Sequence, residues 1–195
     1  FALLFIVTPI WESFMSIFDF DTVAGTTISF DTNTDSFTFA FGYHAGNLVL
    51  TEEGANLRIA IGGSSVLLTL VSISDLLSTH FSFANGSVAE FDNSGSNTLT
   101  GSSLNDYFDV TDGGSDSISA GGGDDIIKMG DAFSANDVID GGASDEDKLE
   151  LSGNFSVTMN ATTLTAVEDI FIGDGVASIV LSDESVATAS DTLSI

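Results

Sequence analysis

From Thr26 onward the chain alternates apolar and polar residues with a period of two: Ile28 and Phe30, then Phe37, Phe39 and Phe41. Residues two apart share one face of a strand, so this pattern predicts half-buried β-strands. The cluster Asp31-Thr-Asn-Thr-Asp35 between the two segments is turn chemistry, and together they read as a β-hairpin. Further strands are predicted at 47–51, 56–61 and 65–71, divided by Glu53-Gly54 and Gly62-Gly63. Residues 74–77 fit one helical turn with Ser74 as its N-cap. Segments 80–84 and 88–91 flank Asn85-Gly86, a short-range hairpin signal. Toward the end, short strands recur roughly every ten residues, at 155–159, 169–172 and 177–181. No stretch of ten residues carries the 3.6-residue period of an amphipathic helix. The pattern predicts an all-β chain.

Between Asn105 and Leu149 one phrase is written five times: an aspartate, any residue, then a large apolar side chain. The instances are Asp106-Tyr-Phe108, Asp116-Ser-Ile118, Asp125-Ile-Ile127, Asp137-Val-Ile139 and Asp147-Lys-Leu149, with glycines crowded before several of them. The most regular stretch is Ala120-Gly-Gly-Gly123-Asp124-Asp125-Ile-Ile127, preceded in nine-residue register by Thr111-Asp112-Gly113-Gly114-Ser-Asp116-Ser-Ile118. Glycine turns reach positive φ and let backbone carbonyls converge, and the aspartate adds a hard anionic oxygen. Calcium takes six to eight such oxygens, a mixture of carboxylate and carbonyl. The apolar residue two places on points into a core, so turn, ligand and core are specified together.

Composition changes the picture in one direction. Asp and Glu number 29 against three basic residues, Arg58, Lys128 and Lys148, giving a formal charge of −26. Phosphate recognition calls for clustered Lys and Arg, so nucleic acid and anionic membrane surfaces are excluded as expected partners. Self-repulsion on this scale opposes compaction unless cations offset it. A generally acidic, halophile-like surface is the plain alternative, but it does not require aspartates in register with glycines. With 43% hydrophobic residues and sixteen Phe the chain can bury a real core. Absence of Cys excludes disulfides, thiolate zinc sites and Cys nucleophiles. Residues 1–14, FALLFIVTPIWESF, are apolar without a secretory signal's basic start or cleavage site. They are also too short to span a bilayer, and we read them as extraneous to the fold, with Met15 as a natural start.

The glycine-aspartate stretch resembles the RTX, or haemolysin-type calcium-binding, repeat family, whose nonapeptide is G-G-x-G-x-D-x-U-x. The resemblance implies a parallel β-roll with two nonapeptides per coil and Ca²⁺ as cofactor. Carried over, Asp106 faces Asp125, Asp116 faces Asp137, and Asp125 faces Asp147. Carbonyls of the turns, including Gly114, Gly121 and Gly123, complete the shells, with the side chains of Asp112 and Asp124 as further candidates. The chain departs from the pattern in three places. Leu104 takes the fourth position before Asp106, 132–137 has no glycine and follows an insertion, and 141–147 is one residue longer. One to three ions are expected, the 106/125 pair first. Asn47–Thr51 and Phe81-Ser-Phe-Ala-Asn-Gly-Ser-Val88 are similar to the segment that precedes such arrays.

The expected organisation is an extraneous leader at 1–14, an N-terminal β region of hairpins at 15–96, the β-roll at 97–152, and a continuation of short strands at 153–195. The resemblance implies a non-catalytic module, secreted through a type I channel of a bacterium, Gram-negative in kind, and part of a larger adhesin, surface-layer or toxin-like protein. Cell-surface or self-assembly partners go with that reading; the end Asp191-Thr-Leu-Ser-Ile195 is where its export signal is expected. A metal-independent structural β-solenoid stays open as the alternative. For an enzyme the signals are absent. His44 and His80 fit no HExxH motif, no G-x-S-x-G elbow occurs, and no EF-hand loop is present. Both histidines are expected at turns or on the surface. Three Asn-x-Ser/Thr matches, at Asn85, Asn154 and Asn160, are taken as chance.

Overall fold

A computed structural model describes residues 15–143, 146–175 and 178–181. The leader 1–14 and the C-terminal end, where the export signal was expected, lie outside them. The chain is all-β, with 43% strand and 8% helix, and its mostly parallel sheets form a β-solenoid of about 8 turns.

Each coil of the solenoid contributes one strand to each of two parallel sheets. In the first sheet Ala89–Phe91, Tyr107–Val110, Ile126–Met129, Lys148–Leu151 and Asp169–Ile172 stack in that order. Thr98–Thr100, Ser117–Ser119, Val138–Asp140 and Leu164–Thr165 stack in the second. The register is strict: Phe108 pairs with Ile127, Ile127 with Leu149, and Leu149 with Ile170. Ile118 pairs likewise with Leu99 and Ile139. All but Ile170 and Leu99 are the third residues of the Asp-x-apolar phrases, and Phe108, Ile127, Ile139 and Leu149 are fully buried in one cluster between the sheets. A slip of one residue would turn the whole set outward, so the apolar ladder fixes the coil register. Ser156–Met159 and Ser178–Leu181, both close to prediction, pair with each other in parallel.

The N-terminal region differs from expectation in its pairings. Val49–Glu53, Asn56–Ile61 and Ser64–Thr69 do form an antiparallel meander. The expected hairpin across Asp31–Asp35 does not form: Thr27–Ser29 pairs with Ser64–Thr69, while Ser36–Phe39 lies in another sheet between Ile17–Asp19 and Phe81–Phe83. Asn85-Gly86 also fails to close a hairpin, because Phe81–Phe83 and Ala89–Phe91 belong to different sheets. Both turns carry the chain around a coil instead of back on itself. The helical turn is a 3₁₀ turn at Ile73–Asp75 capped by Ser72, not Ser74; the Ser72 hydroxyl and N–H both donate to Asp75 Oδ2.

Stacked phenylalanines fill this region. Phe39 lies against Phe83 with ring centroids 4.4 Å apart, and Phe30 against Phe37 at 5.1 Å. Tyr107, on the outer face of the first sheet, is completely buried by this aromatic cluster, so it pins the N-terminal region to the solenoid. His80, expected at a turn or on the surface, ends the 3₁₀ turn Ser78–His80 but is only 4% exposed. Its Nδ1 accepts the Leu77 N–H and its Nε2 meets the Thr32 carbonyl, so it is a satisfied core histidine.

Candidate metal centre

Every aspartate of the five phrases sits at the head of a strand, and all five are 0 or 1% exposed. Exposed carboxylates would need no partner; buried ones do. The stacking of the coils supplies it. Val88 N–H donates to Asp106 Oδ1 (2.7 Å), Asp106 N–H to Asp125 Oδ1 (2.7 Å), and Asp125 N–H to Asp147 Oδ1 (2.9 Å). The series ends with Asp147 N–H on Glu168 Oε2 (3.0 Å). At the head of the other sheet, Asn97 N–H donates to Asp116 Oδ1 (2.8 Å) and Asp116 N–H to Asp137 Oδ1 (2.8 Å). Two carboxylate ladders therefore run along the solenoid, one of Asp106, Asp125 and Asp147, the other of Asp116 and Asp137. A hydrogen bond from a neutral N–H to a carboxylate is worth roughly 1.5–3 kcal/mol net, about twice a neutral one.

What the second oxygen of each carboxylate meets divides the ladder into two kinds. Asp106 Oδ2 accepts the Ser102 N–H, and Oδ1 also takes the Ser102 hydroxyl. Asp137 Oδ2 accepts both the N–H and the hydroxyl of Ser134. These carboxylates are closed by a serine three or four residues earlier. At Asp116 and Asp125 the equivalent turns are glycine, and the buried Oδ2 of each has no hydrogen-bond partner. Burial, with the neighbouring charges of Asp147, Asp106 and Asp124 adding to it, pushes the Asp125 carboxyl up to about 8. Burial also raises Asp106, against the N–H donors of Ser102 and Val88 and the nearby His44.

The glycines are required by how closely the turns stack. Gly121 has φ +108, and a Cβ there would collide with the Ser102 carbonyl oxygen. Gly114, at φ +150, faces the Gly95 carbonyl in the same way. Gly123 lies against the backbone of Leu104 and Asn105. The Gly121 carbonyl, expected as a ligand, accepts the Ala143 N–H at 2.8 Å, so one of its lone pairs is already committed to the next coil. Asp112 and Asp124 are exposed at the surface of these turns.

Among the described residues no three acidic or histidine side chains converge closely enough to cage a metal by themselves. The donors available at the open positions are the second oxygens of Asp116 and Asp125 and the turn carbonyls around them. They are all hard oxygens without thiolate or imidazole, which is the donor set of Ca²⁺. These residues fit a calcium ion, provided backbone carbonyls and water supply most of its shell.

Two further acids at strand heads, one extending the first ladder and one outside both, were not anticipated. Glu168 extends the first ladder with one more methylene, outside any Asp-x-apolar phrase. Asp35, 6% exposed, heads Ser36–Phe39 and accepts the Ser16 N–H (2.9 Å) and Asp31 N–H (2.9 Å). Its signal was present as Asp35-Ser-Phe37, the same phrase without the glycines. No family model, curated protein or solved structure matches the chain.

Proposed function

We propose that the chain is a non-catalytic calcium-binding module whose glycine-aspartate coils fold when Ca²⁺ fills the open positions of the carboxylate ladders. The observation that carries this reading is the pair of buried, unpartnered oxygens at Asp116 and Asp125, found where serine is replaced by glycine. None of the chain's three Lys and Arg side chains makes its ion pair with either of them. Lys128 and Lys148 both lie on Glu150, and Arg58 on Glu53.

On this reading the residues play simple parts. Asp125 and Asp116 each offer an ion one open oxygen, one in each ladder, Asp106, Asp137 and Asp147 hold the coils in register, and Gly114, Gly121 and Gly123 let the turns approach. The ion supplies positive charge that the sequence lacks. In a calcium-poor cytosol, repulsion among the carboxylates keeps the coils open; outside the cell, millimolar Ca²⁺ binds only the coiled form and draws the equilibrium over. That gradient fits the RTX resemblance, export unfolded through a type I system, and a place in a larger secreted adhesin, surface-layer or toxin-like protein. Elemental analysis and calorimetry on the purified chain test it: one to three calcium ions per chain are expected, and a chain that takes up none sinks the reading.

A second reading rests on a specific observation as well. Asp35, Asp106 and Asp137 are fully hydrogen-bonded without any ion, which is how a metal-independent structural solenoid would be built. It predicts the same stability with chelator as with calcium.

A further inference from the structure

A separate acidic crevice lies where the N-terminal region meets the first coils. It is lined by Ile73 and Ser74 of the 3₁₀ turn, by Phe91 and Asp92 at the end of the first solenoid strand, and by Asp109, Thr111 and Asp112 of the next coil. Its volume is about 10 Å³, room for a single water-sized occupant. Asp92 is 9% exposed and Asp109 4%. One Asp92 oxygen accepts the Asp112 N–H at 3.3 Å, whereas the other, Oδ2, is buried without a partner. Asp109 takes the Tyr107 hydroxyl on Oδ2 (3.0 Å) and the Thr111 hydroxyl on Oδ1 (2.6 Å).

We propose that this crevice is a further cation site, taking one hard divalent ion of the Ca²⁺ class between Asp92 and Asp109 and so clamping the N-terminal region to the solenoid. Three arguments carry it. A buried carboxylate oxygen without a donor costs free energy unless a proton or cation meets it. The chain's three Lys and Arg side chains make their ion pairs with Glu53 and Glu150, and none of these pairs reaches Asp92. A neutral water would satisfy Oδ2 but leave the charges of Asp92, Asp109 and Asp112 uncompensated, whereas a divalent ion offsets most of them. Burial first, then the charges of Asp112, Asp116 and Asp109, hold the Asp92 carboxyl at about 7, which shows how strongly the crevice disfavours a bare anion. Because, among the described residues, no three acidic side chains converge on one point, hydroxyls of Thr111 and Ser74 and water are needed to complete the shell. That places the affinity at the weak end for calcium, ~10⁻⁴–10⁻³ M. The site does not depend on the ladders: Asp92 and Asp109 belong to neither of them.

The test is calcium binding by calorimetry on the full chain, comparing wild type, Asp92→Asn and Asp125→Asn. The site predicts that Asp92→Asn binds one ion fewer than wild type and that Asp125→Asn keeps this ion. A chain whose only ion survives Asp125→Asn but not Asp92→Asn upholds the crevice and removes the ladder reading. Unchanged stoichiometry and affinity in Asp92→Asn overturn the crevice, whatever Asp125→Asn does, and so does a wild type that binds no calcium. Should Asp92→Asn not fold, Asp112→Asn replaces it. That change removes an exposed charge at the rim but keeps the N–H that Asp92 uses, and it is expected to weaken this ion several-fold; no weakening overturns the site.

Discussion

Replacing Asp125 by asparagine separates what its charge does from what its shape does. The side chain keeps an oxygen to accept the Asp106 N–H, now 2.7 Å away, but can no longer ionise. In the metal-free chain, burial and three neighbouring acids raise the Asp125 carboxyl from 3.8 to about 8. A folded-state pKa above the unfolded value means the native state holds the extra proton between those limits. The group therefore costs nothing below pH ~4, and stability falls as pH rises toward about 8. At about 1.36 kcal/mol per pH unit, the cost at pH 7 is about 4 kcal/mol. The asparagine N–H₂ must find an acceptor in the site, and failing to do so costs about 1–3 kcal/mol. The balance favours Asp125→Asn by about 2 kcal/mol at pH 7 with chelator, and by less or nothing at pH 5. Ca²⁺ raised to a hundred times its Kd should reverse the order, since it then adds roughly 2.7 kcal/mol to wild type and little to the variant. Urea denaturation at pH 5, 7 and 8, with EGTA and with calcium, reads all of this. A variant equally destabilised at every pH, with or without calcium, would refute the reasoning.

Other consequences are simpler to measure. Asp125→Ala should weaken calcium affinity more than Asp137→Ala, because Ser134 already closes the second oxygen of Asp137; equal losses by calorimetry contradict the division into open and closed coils. Gly121→Val combines a φ of +108 with a clash against the Ser102 carbonyl. It should cost about 3 kcal/mol or more, seen as a drop in melting temperature of about 6 °C or more. Ile127→Ala, at a position with no exposure, should lose about 2–5 kcal/mol by chemical denaturation. The half-buried neighbour Ile126 should lose clearly less.

Much of the solenoid was legible because its repeat writes ladder, turn and core into the same few residues. Asp-x-apolar fixes which side chain enters the core, and the spacing of the phrases fixes which coils stack. The pairings of the N-terminal region were not legible. Turn chemistry such as Asp31–Asp35 or Asn85-Gly86 says that the chain bends, not whether the next strand returns antiparallel or joins another sheet. The clue lay in distance along the chain: Ile17 pairs with Ser36 at the interval that separates Tyr107 from Ile126. The serine closure of Asp106 and Asp137 was also missed. It needs only Ser102 and Ser134 at short range, but its meaning appears once the stacked N–H groups are seen to occupy the other oxygen. Asp92 carries no glycine signature, and its crevice arises from a seam between distant segments.

Amide hydrogen exchange across residues 106–149, with chelator and with millimolar Ca²⁺, tests the central claim most directly. Buried carboxylates that rely on an added cation predict fast exchange at Asp106, Asp116 and Asp125 without calcium and strong protection with it. Equal protection in both conditions would contradict the account and leave a solenoid that holds its ladders together unaided.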